Sequence, residues 1–257
     1  MPVLGLGWMH MKRKVRFGLY SIGIVVFGSI ALYHTFDPVL DRLAIRRVQH
    51  LAQDREEFKN RWLGVGVIQY PSDLITYAQL LYQIKPEVIV ETGTNYGGLA
   101  VYFATLMEQI NPEAKVLTVD IDSEKWDKEV AEGRITPRML ERIVFIKGDS
   151  VSEGVLHEVR RHANGKRGLV LLDSLHSKEH VLKELNLYSK FVAEGSYLIV
   201  NDTHLEVLGI MGPDKEGALS AVQEFLKSTN EFVMDPSFPG TIISCSPSGF
   251  LKRNKSR

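Results

Sequence analysis

Five short apolar runs in this chain each end on residues that can do chemistry. VIV is followed by Glu91-Thr92-Gly93, VLTV by Asp120-Ile121-Asp122, and IVFIK by Gly148-Asp149-Ser150. GLVLL is followed by Asp173-Ser174-Leu175-His176, and YLIV by Asn201-Asp202-Thr203-His204. The first turn reads ETGTNYGG, in which glycine lets the backbone approach a ligand and the next helix offers free N–H groups. A dinucleotide fingerprint would place glycine where Asn95 stands, and a carboxylate beside a pyrophosphate is repulsive. Glu91 suits a cation instead, such as the α-amino group and sulfonium of S-adenosyl-L-methionine. Asp120 is placed to accept hydrogen bonds from two ribose hydroxyls, and Gly148-Asp149-Ser150 to border the adenine. The cofactor set read from these turns is Glu91, Gly93, Asn95, Gly97, Asp120, Asp122, Asp149 and Ser150. The competing reading is that Glu91 and Asp120 only cap helices.

The last two runs carry a second chemistry. As neighbouring strands they would lie roughly 5 Å apart, so Asp173 and Asp202 converge. Two carboxylates that close either bind a cation or share a proton. His176, three residues after Asp173, is placed to take a proton, so Asp173 and His176 are the catalytic candidates. A helix-capping or structural role for His176 is the alternative. His204 is a second candidate base, and His180 reads as a surface residue. The pair His176 and His180 lacks the HExxH pattern of a zinc site. Tyr70 and Asp73 in IQYPSD either line a substrate mouth or simply start a helix.

These residues need a frame. The runs at 88–91, 116–120, 143–147, 168–173 and 197–201 are apolar without alternation, which predicts strands covered on both faces. Helical spacing fills 96–110, 151–162, 178–191 and 217–227 between and after them. Strands alternating with helices form right-handed parallel crossovers, hence an α/β doubly wound, Rossmann-like sheet. Ligands in such a sheet bind beyond the carboxyl ends of the strands, where all five turns fall. Segments 232–234 and 241–245 are expected to form a closing hairpin.

VETGTNYGGLAVYFA, VDID, IKGDS, LLDSLHSKEHVLKELNLYSKFVAEGSYLIVNDT and the later GP…A…FL…F…D together resemble the cephalosporin hydroxylase family. That family includes rhamnosyl O-methyltransferases, and the resemblance runs from about Trp62 to Leu251. It implies a seven-stranded methyltransferase sheet with the last strand antiparallel, and S-adenosyl-L-methionine as methyl donor. It also implies a divalent metal near the donor, Mg²⁺ by its chemistry, with ligands at Asp173, Asn201 and Asp202. Some members carry an acid where this chain has Asn201. Mg²⁺ chelated by substrate oxygens lowers the pKa of a hydroxyl and orients it. The expected activity is therefore O-methylation of a small molecule, glycan or lipid-linked acceptor. The rival reading is a cofactor-binding protein without turnover, and Asn201 is the residue that favours it. An iron oxygenase, which the family name suggests, is disfavoured by the alternating α/β pattern.

The chain has 257 residues, 31 basic and 31 acidic, with 44% hydrophobic and 24% charged residues. That composition excludes wholesale disorder, and zero net charge removes the electrostatic case for a nucleic-acid partner. The lone Cys245 excludes an internal disulfide and a thiolate zinc site. Residues 17–36 form a twenty-residue stretch without Asp, Glu, Lys or Arg, long enough as a helix to span a membrane. Lys12, Arg13, Lys14 and Arg16 precede it and put the N-terminus in the cytoplasm. A cleaved signal peptide and a core helix are the alternatives. The predicted organisation is a cytoplasmic arm at 1–16, an anchor at 17–36, a helical stalk at 37–64 and a methyltransferase domain at 65–257. The domain then faces a lumen or periplasm, from the ER or Golgi or a bacterial inner membrane. Two glycosylation sequons bear on this side, one at Asn201 and one at Asn254. A homo-oligomer is compatible with all of this.

Overall fold

In a computed structural model, residues 43, 60–207, 209, 211, 215–239 and 244–255 are described. The chain divides into Met1–Leu51 and Ala52–Arg257, and every described residue except the exposed, helical Leu43 belongs to the second unit. The proposed arm and anchor lie outside the described residues. Among those described, no helix is long and apolar enough to cross a membrane.

The expected stalk ends too late. Asn60–Trp62 (β1) pairs antiparallel with Val65–Val67 (β2). The two residues between them, Leu63 and Gly64, both have positive φ, at 51° and 88°. A two-residue turn of that kind matches the twist of a hairpin and cannot continue a helix. Trp62 then packs edge-on to Tyr102 at 4.9 Å and donates its indole N–H to Thr105 Oγ1 at 2.9 Å. The domain therefore begins before residue 64.

The main sheet contains Val88–Thr92 (β3), Lys115–Asp120 (β4), Ile143–Lys147 (β5), Gly168–Leu172 (β6), Tyr197–Val200 (β7), Phe232–Met234 (β8) and Phe250–Arg253 (β9). Their spatial order is β5-β4-β3-β6-β7-β9-β8. The first five run parallel, and β9 runs antiparallel to both β7 and β8. Helices Pro71–Ile84 (α1) and Gly98–Ile110 (α2) supply the apolar residues on one face; Glu153–Ala163 (α3), Lys178–Tyr188 (α4) and Ala218–Ser228 (α5) supply the other. Alternate residues of each strand divide between the two cores: Val88 and Val90 go to one, Ile89 to the other. Continuous apolar runs are what a sheet buried on both faces requires.

The closing hairpin has a different partner from the one expected. Phe232–Met234 pairs with Phe250–Arg253. Residues 241–243 lie outside the described set, and Ser244 and Cys245 are held elsewhere. The Asp73 carboxylate accepts from Ser244 Oγ at 2.5 Å and from the Cys245 N–H at 2.8 Å, so that backbone donor is not free for a strand partner. Asp73 is buried inside the start of α1, in keeping with the helix-start reading.

Phe250 is fully buried on a strand bonded on both sides, and packs against Tyr77 and Phe238. Phe250→Ala is expected to cost about 3–5 kcal/mol in urea denaturation, through lost burial and the cavity left behind. Met234→Ala, at a half-exposed site of β8, should cost under about 1 kcal/mol by the same measurement.

Candidate active site

The strand order reverses between β3 and β6, and the first turn sits at that point. The Asp173 N–H donates to the Thr92 carbonyl at 3.0 Å. Gly93 has φ of +88°, and a Cβ there would overlap the Asp173 carbonyl. Only glycine lets the two strand ends meet this closely.

Glu91 is buried beside this junction. Its Oε2 accepts from Thr118 Oγ1 at 2.7 Å, and Thr94 Oγ1 lies 2.7 Å from the same Thr118 oxygen. Since Thr118 gives its proton to Glu91, Thr94 donates to Thr118. Burial, opposed by the Thr118 hydroxyl, pushes the Glu91 carboxyl up to about 8. A positive charge brought beside such a carboxyl would favour its ionised form.

Asp120 has both oxygens on backbone donors, from the Asn95 N–H at 2.9 Å and the Asp122 N–H at 3.0 Å. Each carboxylate oxygen keeps a second lone pair for a ribose hydroxyl. Asn95 adopts φ of 50° and accepts from Lys125 Nζ at 3.0 Å through its side chain. Two glycine and acid positions have local reasons of their own. Gly97 makes room for the Trp126 indole, and Asp122 Oδ1 accepts the Glu124 N–H at the next helix start, 3.1 Å away. Asp149 likewise accepts the Val151 N–H at 3.1 Å.

The second cluster assembles as expected. Asp173, His176 and Asp202 each bring one ligand-capable atom within 4.8 Å of the others. His176 Nε2 is 2.9 Å from Asp202 Oδ2. Burial opposes charge on the ring, but the hydrogen bond and charge of Asp202, with Asp173 and Glu184 adding, push His176 up to about 9. Burial and the nearby Asp202 charge hold Asp173 well above the usual carboxylate range. Burial also opposes ionisation of Asp202, yet the His176 hydrogen bond keeps its carboxyl below that range. Asp202 sits at φ of 60°, so the backbone is turned to bring this side chain round.

Three partners of this cluster carried no signal in the sequence. Gln69 Nε2 donates to Asp173 Oδ2 at 2.8 Å. The hydroxyls of Tyr77 and Ser246 both donate to Asn201 Oδ1, at 2.9 and 2.6 Å. The Asn201 oxygen thus faces these two hydroxyls and not the acids in this arrangement. Its amide nitrogen is buried and makes no hydrogen bond of normal geometry, although it lies near enough to Asp173 to ease that charge. The two hydroxyls can accept as readily as donate, so a half-turn of the amide would exchange nitrogen for oxygen. Two hard carboxylates, an imidazole and an unsatisfied amide suit a divalent cation such as Mg²⁺, held by Asp173 and Asp202. Burial of Asn201 also means that the folded domain cannot carry a glycan at that sequon.

The other histidines differ from expectation. His204 is buried, with Nδ1 at 2.9 Å from the Cys245 carbonyl and its ring against Tyr70, so it braces the site instead of serving as a base. His180 is half-buried rather than freely exposed. Its Nε2 lies 3.1 Å from Ser150 Oγ and 3.2 Å from Ser174 Oγ.

An open α/β sheet in this strand order, with a buried acid and a ribose-type acid at adjacent strand ends, defines a Rossmann-like methyltransferase. A family model described as Rhamnosyl O-methyltransferase/CmcI matches residues 55–254, and the chain belongs to that family of S-adenosylmethionine-dependent O-methyltransferases. The rhamnosyl O-methyltransferase of Mycobacterium tuberculosis is 32% identical over 202 residues, 76% of this chain and 79% of the relative. That of Mycobacterium leprae is 29% identical over 166 residues, 64% and 69% of the two chains. Among solved structures, CmcI in an apo form superposes with a TM-score of 0.60 at 20% identity over 79% of each chain. A CmcI structure described as Mg-SAM gives 0.59 at 20% identity over 76% and 77%. These structural likenesses concern the fold.

On the expected pairing of Glu91 with the donor's ammonium group, the carboxyl must first lose its proton. Affinity for S-adenosylhomocysteine should therefore rise with pH from 6 to about 8 and then level off. Calorimetry in buffers of different ionisation enthalpy should show proton release on binding, and Glu91→Gln should abolish both effects.

Proposed function

We propose that this chain transfers a methyl group from S-adenosyl-L-methionine to a hydroxyl of a rhamnose-type sugar, as part of a glycan or lipid-linked acceptor. The observation that carries this reading is the convergence of Asp173, His176 and Asp202 next to the strand ends that bear Glu91 and Asp120. The names of the mycobacterial relatives support a sugar acceptor, as does the fold shared with a TDP-rhamnose 3'-O-methyltransferase (TM-score 0.51, 20% identity, 71% of this chain and 78% of that one).

In the transfer, the acceptor oxygen attacks the methyl carbon in line with the departing sulfur, so the donor must be held rigidly. Glu91 pairs with its ammonium group and Asp120 with its ribose. A divalent cation bound at Asp173 and Asp202 would supply an electrophile that acidifies and orients the acceptor hydroxyl. His176 is the candidate base, and its Nε2, 2.9 Å from Asp202 Oδ2, takes the hydroxyl proton only once that contact is given up. The ring is protonated at neutral pH while paired with Asp202, so it serves as a base only after releasing that proton. The rate should therefore rise with pH along a limb lying no higher than about 9, because any added positive charge nearby lowers the ring's pKa. His176→Gln should flatten that limb.

The same reading anchors the domain in a membrane through residues 17–36, supported by their apolar length and the basic residues before them. The domain then lies across the membrane from the N-terminus. Digestion of a C-terminal tag in sealed vesicles without detergent would instead place it on the cytosolic side.

Labelled methyl donor should mark a rhamnoside-bearing glycolipid and leave a panel of phenols unlabelled. Chelator should abolish the transfer and Mg²⁺ restore it, whereas Asp202→Ala should resist the rescue. Label on phenols alone, or full turnover in excess chelator, would overturn the assignment.

A further inference from the structure

His180, Glu184 and Tyr188 stand at successive i, i+4 positions of α4, a polar stripe on the face that packs on the sheet. Glu184 is fully buried, and its Oε2 has no partner among the described residues. A buried carboxylate left half-satisfied is costly and calls for a compensating role. Its Oε1 accepts from Ser174 Oγ at 2.7 Å and lies 3.5 Å from His180 Nε2. His180 Nε2 also meets Ser150 Oγ at 3.1 Å and Ser174 Oγ at 3.2 Å. Tyr188 donates to the Ser150 carbonyl at 2.7 Å. One helix face therefore grips two turns at once: the one after β5, with Asp149 and Ser150, and the one after β6, with Asp173 and Ser174.

One placement of the protons satisfies every one of these contacts. Ser174 gives its hydrogen to Glu184, so its oxygen can only accept from His180. His180 must then carry hydrogen on Nε2, and the same N–H is shared with the Ser150 oxygen. Ser150 is left with its own hydroxyl proton unspent, and its side chain is tethered at the oxygen. We propose that His180 is a positioning residue that holds Ser150 as a hydrogen-bond donor toward the acceptor nitrogens of the cofactor's adenine, and that Ser174 and Glu184 tie this end of the cofactor to the loop bearing Asp173. The inference rests on the cofactor reading of Ser150 and its neighbours made above. It gives a reason for a half-buried histidine outside the acid cluster, and for a buried glutamate whose second oxygen has no hydrogen-bond partner among the described residues.

Calorimetry with S-adenosylhomocysteine on the full chain, together with steady-state kinetics, tests it. His180→Ala should weaken binding about tenfold and raise KM for the methyl donor by a similar factor, with kcat changed less than about threefold. His180→Gln, which keeps an N–H donor at a similar reach, should recover most of that loss. Ser150→Ala should weaken binding in the native background and add less than about twofold on top of His180→Ala. A merely structural His180 would lower the melting temperature without this split between KM and kcat, and without rescue by glutamine. The inference falls if His180→Ala leaves affinity unchanged, or if Ser150→Ala is equally damaging in both backgrounds. Glu91→Ala and Asp120→Ala serve as the control: if neither weakens binding, the cofactor site itself is misassigned and the inference falls with it. If they weaken binding and His180→Ala does not, only the role of His180 is overturned.

Discussion

Two carboxylates, Asp173 and Asp202, are forced together at the ends of adjacent parallel strands, and much of the surrounding structure answers that constraint. Like charges at this separation, removed from water, cannot both ionise without compensation. His176 supplies a positive partner to Asp202, and Gln69 supplies a donor to Asp173. Tyr77 and Ser246 hold the Asn201 oxygen, which leaves its amide nitrogen on the side of Asp173. The opposite shifts of the two acids express this division: Asp202 keeps the charge and Asp173 resists it. A site built this way favours a cation and holds protons in its absence.

The same junction couples the acids to the cofactor turn. Gly93 allows the β3 end to lie against the Asp173 backbone, so any displacement of one turn moves the other. Glu91, a short distance along β3, is buried in a chain of hydroxyls running from Thr94 through Thr118. Burial, with only the Thr118 hydroxyl donating to it among the described residues, is what raises its pKa. Donor and acceptor chemistry thus share one rigid edge of the sheet.

Less visible is how the segment 244–246, near the C-terminal end of the described chain, is drawn into this edge. Asp73 at the start of α1 binds the Ser244 hydroxyl and the Cys245 N–H, and the Cys245 carbonyl in turn holds His204. Ser246 closes the set on Asn201. A buried aspartate thereby helps locate His204 and Ser246 near the acid pair and Asn201. The pattern is the usual one for precise sites, in which side chains that do chemistry are oriented by others that do none.

The linear order of residues carried the frame and the chemical endpoints. Unbroken apolar strands alternating with helices specify a covered parallel sheet, and the rule for such sheets puts Glu91, Asp120, Asp173 and Asp202 at one edge before any coordinates are known. What periodicity could not reveal is which distant side chains meet. Gln69 lies 104 residues from Asp173, and Tyr77 lies 124 from Asn201. His180 looks exposed by spacing, yet it turns inward because two serines on different strand ends offer it oxygens. Asn201 looks like a ligand by position, yet its oxygen is claimed by hydroxyls from α1 and from the segment before β9. The Phe232–Met234 strand pairs with Phe250–Arg253, and the Cys245 backbone donor goes to Asp73. Local pattern determines which face of an element is buried. Which polar atoms share that burial is decided by packing between elements far apart in the chain, where each buried donor must find an acceptor.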